Sequence, residues 1–183
     1  MKTLKKILPF LLLFTLLSLL GTELFSASPT KLPSKLIGEP LPKFRLTSIY
    51  QNESLKLTKF TNNQLPNGVV LLTYWATWCD ACRSEHSMLM DIKNKYHIPM
   101  YGIVYKDNTS DVKHFLSYNG NPFTMIGDDA SGDTAMDFGV YGTPETYVIY
   151  NHRILYRHVG GLDDSVWQND IYPLIQKYSQ QKA

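Results

Sequence analysis

The sequence predicts an α/β domain in which helices flank a mixed β-sheet. The first observation is the uninterrupted apolar run "GVVLLTYWA" (residues 68–76), which is rich in β-forming residues and typical of a strand buried on both faces. A segment with apolar residues at helical spacing follows directly, from Cys79 to Tyr96. Strand and helix patterns then alternate, which indicates parallel strands, and "ETYVIYNHRILYRHV" (residues 145–159) predicts a hairpin that adds antiparallel strands.

The other segments predict the remaining elements of this domain. In chain order they are one or two edge strands within Phe44–Phe60, a second buried strand in "IPMYGIVYK" (98–106), a helix over 109–120 with Ser110 as its cap, a short strand over Phe123–Ile126, a short helix in "SGDTAMDFGV" (131–140), and a final helix from Asp164 or Ser165 to about Lys177. We expect the hairpin turn at Asn151–His152, and we expect Pro173 to kink or shorten the final helix.

Residues 1–25 predict a segment that directs the chain to a membrane. Three lysines precede an apolar run from Ile7 to Leu20, whose fourteen residues would span about 21 Å as a helix. That is less than the ~30 Å hydrocarbon core of a bilayer, and extension to Phe25 takes in an acidic residue. A transmembrane anchor and a signal peptide cleaved near the small residues 26–28 both fit this pattern. Both export the domain, because the lysines stay on the cytoplasmic side.

A tether and a neutral domain follow this segment. Residues 26–43 contain four prolines and predict a tether, so the folded domain is expected over 44–183. Of the 18 basic and 16 acidic residues, three lysines and one glutamate lie in residues 1–27, so the rest of the chain is formally neutral. This balance does not predict a nucleic-acid surface, and a hydrophobic content of 44% argues against general disorder.

The chain has two cysteines, Cys79 and Cys82, and their spacing allows three functions. A disulfide that staples residues three apart closes a very short loop, which adds little stability. A structural zinc site needs four ligands, and only His86 lies near the pair in sequence. A redox-active pair explains more, because the cysteines stand where a buried strand meets a helix, and export would place them in an oxidising compartment.

The redox hypothesis divides the work between the two thiols. Cys79 would lie at the helix N-terminus, where unpaired N–H groups and the helix dipole stabilise a thiolate. It would attack a substrate disulfide, and Cys82, one turn inside and less exposed, would resolve the mixed disulfide. Of the flanking tryptophans, Trp75 is expected in the core, whereas Trp78 is a candidate for a docking surface.

The motif WCxxC at a strand-to-helix junction resembles the thioredoxin superfamily. The segments "IGEPLPKFRLTSI", "GDDASGDTAMDFGV", "FGVYGTPETYVI" and "NHRILYRHVGGL" resemble, more specifically, the DsbE/CcmG family of cytochrome c biogenesis thioredoxins. The likeness runs from about Gly38 to Leu162. It implies a thioredoxin fold with an inserted strand–helix unit behind an N-terminal membrane anchor.

The resemblance also implies a function and partners. The activity would be reduction of a disulfide in the CxxCH haem-attachment motif of apocytochrome c, with electrons from a membrane thiol transporter of the DsbD or CcdA type. The protein would be a single-pass protein of the bacterial inner membrane with its domain on the periplasmic side. No metal and no cofactor beyond the redox-active Cys79–Cys82 disulfide is expected.

Residue by residue, the resemblance adds a supporting set around the cysteines. Pro144 matches a cis-proline that faces the cysteine pair, and Thr143 before it would hydrogen-bond an extended substrate. Glu85 and Glu145 match acidic positions near the active site. Carboxylates there would raise the pKa of the thiols, which makes the dithiol a better reductant, and one of them would accept the Cys82 proton.

The family usually has proline within its CxxC, whereas the intervening pair here is Asp80–Ala81. Two other functions remain open alongside the dedicated reductase. One is a general extracytoplasmic disulfide reductase or oxidant with the same fold. The other is a thioredoxin-like copper chaperone, which would use His158, although such proteins typically have CxxxC.

Overall fold

Seven strands of the described residues form one mixed sheet. The structure is a computed structural model that describes residues 2–26, 34–51 and 59–180. The strands are β1 (Arg45–Gln51), β2 (Lys59–Thr61), β3 (Val69–Trp75), β4 (Met100–Tyr105), β5 (Met125–Asp129), β6 (Glu145–Tyr150) and β7 (Arg153–Val159). Their order across the sheet is β2-β1-β5-β4-β3-β6-β7. β4 pairs in parallel with β3 and β5, and the other pairings are antiparallel, so the predicted mixed sheet is confirmed.

Helices cover both faces of this sheet, as the sequence predicts. They are among α2 (Asp80–Asp91), α3 (Thr109–Asn119), α4 (Asp133–Asp137), α5 (Asp164–Val166) and α6 (Tyr172–Ser179), and a further helix, α1 (Lys2–Ser26), belongs to the N-terminal unit. Of these, α2, α3 and α6 pack with Trp75 on one face, which we call the cysteine face because it also contains Cys79 and Cys82. α4 contributes Ala135 to the opposite face, which we call the tyrosine face because it contains Tyr74 and Tyr147. α3 and β5 stand between β4 and α4, where the strand–helix unit implied by the resemblance would lie.

β3 is the centre of the sheet because its side chains are buried on both faces. Leu71 and Trp75 contribute to the cysteine face, whereas Leu72 and Tyr74 contribute to the tyrosine face, as the period of two in a strand requires. Between these apolar residues, the hydroxyl of Thr73 is within 3.1 Å of the hydroxyl of Thr146 on β6. The carboxyl end of β3 leads directly into the turn that contains Cys79 at the start of α2.

Two helix boundaries differ from the sequence prediction. The residue that caps α3 is Asn108, not Ser110, and the cap of the final helical segment is Asp163, whose side chain accepts a hydrogen bond from Val166 N. That segment is interrupted by a π-helical turn over Trp167–Ile171, directly before Pro173 in the first turn of α6. Proline has no N–H to donate, so it is tolerated in the first turn of a helix. The interruption of the final helix before Pro173 therefore agrees with the predicted kink.

Part of the predicted tether belongs to the folded domain. Gly38 N donates to Ile154 O at 2.7 Å, and Leu41 N donates to His152 O at 2.8 Å. Leu41 is buried on the tyrosine face. Contacts divide the chain into the units Met1–Lys31 and Leu32–Ala183, so the folded unit begins before residue 44. A proline-rich composition does not reveal this docking, because it depends on the backbone carbonyls of His152 and Ile154, which lie more than 100 residues further along the chain.

The N-terminal unit contains α1, whose described side chains from Ile7 to Leu20 expose ten large apolar residues. Within the parts of the chain that the structure describes, no helix is long and apolar enough to cross a membrane. The predicted membrane anchor over residues 1–25 therefore stays a prediction.

Candidate active site

The turn between β3 and α2 places both cysteines at one helix end. Cys79 is the N-terminal cap of α2, and its Sγ accepts a hydrogen bond from Cys82 N at 3.1 Å. The two residues form a disulfide with a Cα–Cα distance of 5.2 Å. α2 has twelve residues, so its dipole and free N–H groups favour negative charge on the sulfur of Cys79. This is the environment that the sequence predicts for an attacking thiolate.

Both cysteines are buried, and Cys82 is only slightly less exposed than Cys79, a smaller difference than the sequence predicts. Cys79 has 6% and Cys82 has 4% of its surface exposed in this oxidised state. Both contribute to the apolar cluster of the cysteine face, together with Trp75 and Ala76. Chain position at the helix start therefore does not by itself make Cys79 open to solvent, because the neighbouring loop covers it.

That loop carries Thr143 and Pro144, which follow α4 and lead into β6. The Thr143–Pro144 peptide bond is cis, as the resemblance implies. The carbonyl oxygen of Thr143 lies 3.4 Å from Cys79 Sγ, so the loop stands directly opposite the sulfur. On its other side, Pro144 O accepts a hydrogen bond from Gly160 N at 2.9 Å. The fold thus brings together residues that are more than sixty positions apart in sequence.

The cysteine turn is fixed by the loop after β4. Asp107 Oδ2 accepts hydrogen bonds from Thr77 N at 2.5 Å and from Thr77 Oγ1 at 2.8 Å. The indole Nε1 of Trp78 donates to Lys106 O at 3.1 Å, while 56% of the surface of Trp78 stays exposed. These residues border a surface groove of about 420 Å³, lined also by Asn108, Asp111 and Ala130. Trp78 is therefore held in one orientation and still open to a partner.

Glu85 is buried one turn after Cys82 on the same face of α2. Only 3% of its surface is exposed, and Oε2 accepts a hydrogen bond from Leu162 N at 2.6 Å. Among the described residues, the other oxygen, Oε1, has no hydrogen-bond partner. Burial raises the pKa of Glu85 to about 8, although the Leu162 N–H bond opposes this rise. The predicted acidic group is therefore buried one helical turn from Cys82, and burial disfavours its ionised form.

Glu145 lies elsewhere, which corrects the expectation that its carboxylate acts on the thiols. Its strand partner is Tyr74, and its Oε1 accepts a hydrogen bond from Tyr147 OH, so the side chain points to the tyrosine face. Arg157 Nε donates to the same oxygen at 2.5 Å. The sheet separates this carboxylate from the cysteines, and an opposite charge neutralises it. Alternation along β6 decides this, since the residue after Pro144 turns away from the sulfur.

Three contributors to the site are missing from the sequence prediction. Asp107 holds the cysteine turn, Arg157 neutralises Glu145, and the backbone of Leu162 binds Glu85. Asp107 could have been found from its position at the carboxyl end of β4, where loops of an α/β sheet meet. The sequence contains no signal for the other two, because an arginine in a strand is normally expected at the surface and a backbone N–H leaves no trace in the side-chain pattern.

The histidines considered as ligands are engaged with backbone carbonyls. His86 Nε2 is 3.1 Å from Gly120 O, and burial lowers the pKa of this histidine. His158 is 2% exposed, and its Nε2 is 3.2 Å from Gly161 O. The described residues contain no group of three or more His, Cys, Asp or Glu side chains that would hold a metal ion. The expected absence of a metal or further cofactor is not tested by this observation.

Comparison with known proteins gives the same assignment as the geometry. The family model for Redoxin matches residues 36–171. The thiol:disulfide interchange protein DsbE of Escherichia coli K12 is 40% identical over 156 residues, which cover 85% of this chain and 82% of that protein. DsbE of Vibrio cholerae is 36% identical over 180 residues, covering 94% and 95% of the two chains.

Solved structures support the fold. A secreted thiol-disulfide isomerase from Corynebacterium glutamicum aligns with a TM-score of 0.62 and 23% identity, over 74% of this chain and 85% of that one. A thiol-disulfide oxidoreductase from Bacteroides fragilis aligns with a TM-score of 0.61 and 18% identity, over 74% and 99%. The architecture is thus thioredoxin-like, and the Cys79–Cys82 disulfide lies at the junction of β3 and α2. The chain is a thiol-disulfide oxidoreductase that belongs to the Redoxin family and, within it, to the DsbE group of thiol:disulfide interchange proteins.

Proposed function

We propose that the protein reduces the disulfide in the CxxCH haem-attachment motif of apocytochrome c, outside the cytoplasm and attached to the bacterial inner membrane. The observation that supports the reductive direction is the buried carboxylate of Glu85, one turn from Cys82. When this group is ionised, its negative charge disfavours thiolates, and so it favours the disulfide form of the protein and makes the dithiol a stronger reductant, an effect that grows as the pH approaches and passes its pKa of about 8. The cytochrome substrate rests on the likeness to the DsbE family.

The reaction proceeds in two exchange steps. The Cys79 thiolate attacks one sulfur of the substrate disulfide, the substrate S–S bond breaks, and the other substrate sulfur leaves as a thiolate that takes up a proton. Cys82 then loses its proton to the ionised form of Glu85 and attacks Cys79 Sγ, and the second substrate sulfur leaves as a thiolate that takes up a proton. Two electrons pass to the substrate, and the protein is left with the Cys79–Cys82 disulfide.

The surrounding residues prepare each step. The helix N-terminus stabilises the Cys79 thiolate, and Thr143 and Pro144 bind the extended chain of the substrate opposite this sulfur. Because its pKa is raised to about 8, only a fraction of Glu85 is ionised near neutral pH, and this fraction, which accepts the proton of Cys82, grows as the pH rises. A membrane dithiol donor of the DsbD or CcdA type restores the reduced protein.

Trapping the mixed disulfide tests this function. Cys82→Ala removes the resolving thiol, so the substrate should stay bound to Cys79. Mass spectrometry of complexes from cells should identify an apocytochrome c joined through its CxxCH cysteines, together with the membrane donor. The matched control Cys79→Ala should trap little, because Cys82 lies one turn inside α2, behind the helix N-terminus that stabilises the attacking thiolate.

The same cells separate the dedicated reductase from the general one. Loss of the protein should reduce holocytochrome c, and added thiol should restore part of it. Capture of many unrelated exported proteins with normal holocytochrome c would contradict the cytochrome function and favour a general disulfide reductase. Stoichiometric copper binding that depends on Cys79 and His158, without disulfide exchange, would instead favour the copper chaperone.

A further inference from the structure

The loop that follows β7, over residues 160–162, lies against the helix that contains the cysteines. Gly160 N donates to Pro144 O at 2.9 Å, which joins this loop to the cis-proline loop. Gly161 lies so close to α2 that a methyl group on its Cα would be 3.7 Å from the backbone oxygen of Ala81, between the two cysteines in sequence. The loop therefore connects the end of β7 with the first turns of α2.

His158 lies on β7 just before this loop, and the disulfide chemistry described above does not use it. Its strand partner is Thr146, and Arg157 before it turns to the tyrosine face, so alternation directs His158 to the cysteine face. Only 2% of its surface is exposed, and its Nε2 lies 3.2 Å from Gly161 O. Because a carbonyl oxygen only accepts, Nε2 is the protonated nitrogen that donates in this contact.

The peptide group between Gly161 and Leu162 joins His158 to Glu85. Its oxygen accepts from His158 Nε2 at 3.2 Å, and its N–H donates to Glu85 Oε2 at 2.6 Å. The peptide group is conjugated, so a hydrogen bond accepted at its oxygen polarises it and makes its N–H a stronger donor. Both end groups are buried, and the low dielectric of the interior strengthens each bond in this chain.

The N–H of Leu162 decides how readily Glu85 ionises. Burial raises the pKa of Glu85, whereas this hydrogen bond lowers it. Within the part of the chain that the structure describes, the other carboxyl oxygen, Oε1, has no hydrogen-bond partner. A weaker or misplaced Leu162 N–H would therefore leave less of the carboxylate form that accepts the proton of Cys82.

The titratable groups around this chain of bonds have other partners. They are His86, Cys79 and Cys82 on α2, Asp163 before α5, and Arg157 on β7. His86 is 3.1 Å from Gly120 O, and burial lowers its pKa, so it carries little charge near neutral pH. Asp163 accepts from Val166 N, and Arg157 is paired with Glu145 on the opposite face of the sheet.

We propose that His158 is a positioning residue for the resolving step, which acts on Glu85 through the Gly161–Leu162 peptide by orienting and strengthening the N–H that binds the carboxylate. The inference rests on the proposed role of Glu85 as the acceptor of the Cys82 proton. The proton still passes from Cys82 Sγ to Glu85, and His158 keeps its own proton throughout.

Stopped-flow oxidation of the reduced full-length protein by oxidised glutathione tests this role. Attack by Cys79 depends on the glutathione concentration, whereas the resolving step is intramolecular and does not. His158→Leu keeps a similar volume but removes the donor. It should raise the pH midpoint of the concentration-independent rate by about half a unit, which lowers this rate about threefold below the midpoint. The two proteins should converge well above the midpoint, and the concentration-dependent phase should stay unchanged.

Two further variants separate positioning from general stability. His158→Gln retains an N–H donor near the place of Nε2 and should restore the wild-type midpoint. His86→Leu is the matched control, because it removes a similar imidazole–carbonyl contact that does not lead to Glu85, and it should leave the midpoint unchanged. Equal slowing of His158→Leu at every pH, an unmoved midpoint, or an equal shift in His86→Leu would overturn the proposal.

A measurement on the wild type keeps the test valid even where His158→Leu does not fold. Coupling between two sites is reciprocal, so ionisation of Glu85 should shift the NMR resonance of His158 Nε2. This shift should have the same pH midpoint as the carboxyl carbon of Glu85, and it should disappear in Glu85→Gln. A His158 resonance that does not respond to Glu85 would overturn the proposal.

These experiments also separate the inference from the function on which it rests. A wild-type pH profile in Glu85→Gln would contradict the proposed role of Glu85 and overturn the inference with it. A changed profile in Glu85→Gln with an unmoved midpoint in His158→Leu would overturn the inference alone. Glutathione has no haem-attachment motif, so none of these outcomes depends on the cytochrome substrate, which the trapping experiment tests.

Discussion

At the scale of single residues, the two buried acidic side chains of the predicted site, Glu85 and Glu145, have opposite surroundings. Glu85 faces the cysteine side of the sheet with one backbone hydrogen bond, and its pKa is raised to about 8 by burial. Glu145 faces the other side and is fully neutralised by Arg157. The cost of an unpaired buried charge therefore falls on Glu85 alone, and this difference can be measured in two ways.

The first prediction concerns stability and pH. Since the pKa of Glu85 is about 8 in the folded protein and ordinarily 4.5, the folded state holds this proton more tightly than the unfolded chain between those values. The free energy of unfolding should therefore fall as pH rises through this window, by up to about 1.4 kcal/mol per pH unit from this group. Glu85→Gln should remove that part of the slope, as measured by urea unfolding of the oxidised protein from pH 5 to 9. Parallel profiles of the two proteins would argue against a raised pKa.

The second prediction concerns the reduction potential. Glu85→Gln should make thiolates easier to form and the protein less reducing, most clearly above pH 8, where the wild-type carboxyl is ionised. Equilibration with glutathione should resolve this change, because a tenfold change in the exchange constant corresponds to about 30 mV. Glu145→Gln is the matched control, and its potential should remain that of the wild type. A shift in the Glu145 variant as large as in the Glu85 variant would show that the sheet does not insulate Glu145.

At the scale of elements, the turn of the β6–β7 hairpin lies where the sequence predicts it, but its second residue, His152, has an unfavourable positive φ. Asn151 and His152 form its two-residue turn with φ values of 48° and 62°. Such turns favour asparagine followed by glycine, because only glycine adopts positive φ without steric cost. The hairpin matters to the site because its strands contain both Glu145 and Arg157.

The third prediction is that His152→Gly stabilises the protein. Relief of the left-handed conformation should outweigh the added chain entropy of glycine and raise the free energy of unfolding by about 0.5–1 kcal/mol. Asn151→Gly is the control at the neighbouring position. It should bring no gain, because Asn151 Oδ1 accepts a hydrogen bond from Gly68 N at 2.8 Å that glycine cannot replace. Urea unfolding midpoints check both, and a destabilised His152→Gly would mean that the imidazole contributes more than the turn strain costs.

At the scale of the whole molecule, the fourth prediction is retention at the membrane. The apolar side chains of α1 from Ile7 to Leu20 are exposed in water at a high cost, so a membrane is a favourable environment for them. The protein should stay in the membrane fraction after high-salt and carbonate washing, with Met1–Phe25 intact by mass spectrometry. A variant that begins at Ser26 behind a cleavable export signal is the control and should be soluble. Recovery of the natural protein as a soluble chain that starts near Ala27 or Ser28 would favour the signal-peptide alternative.

The sequence alone determined the order of elements and the chemistry of the cysteine pair. Buried strands, amphipathic helices and the Asn151–His152 turn are local patterns, in which each residue's neighbours along the chain decide the conformation. The position of Cys79 at the start of α2 follows from the same local pattern. The cis bond before Pro144 came from the resemblance, since a Thr-Pro pair by itself is usually trans.

Only the tertiary structure decided which polar side chains lie on the same face of the sheet as the sulfurs. Glu85, Glu145 and Arg157 are residue types that normally lie in water, and nothing in their spacing reveals that all three are buried. Their roles depend on contacts between distant segments, such as Glu85 with Leu162 and Arg157 with Gly139. The face of the sheet that each side chain occupies fixes its partner, and for this reason the carboxylate next to Pro144 in sequence lies apart from the cysteines in space.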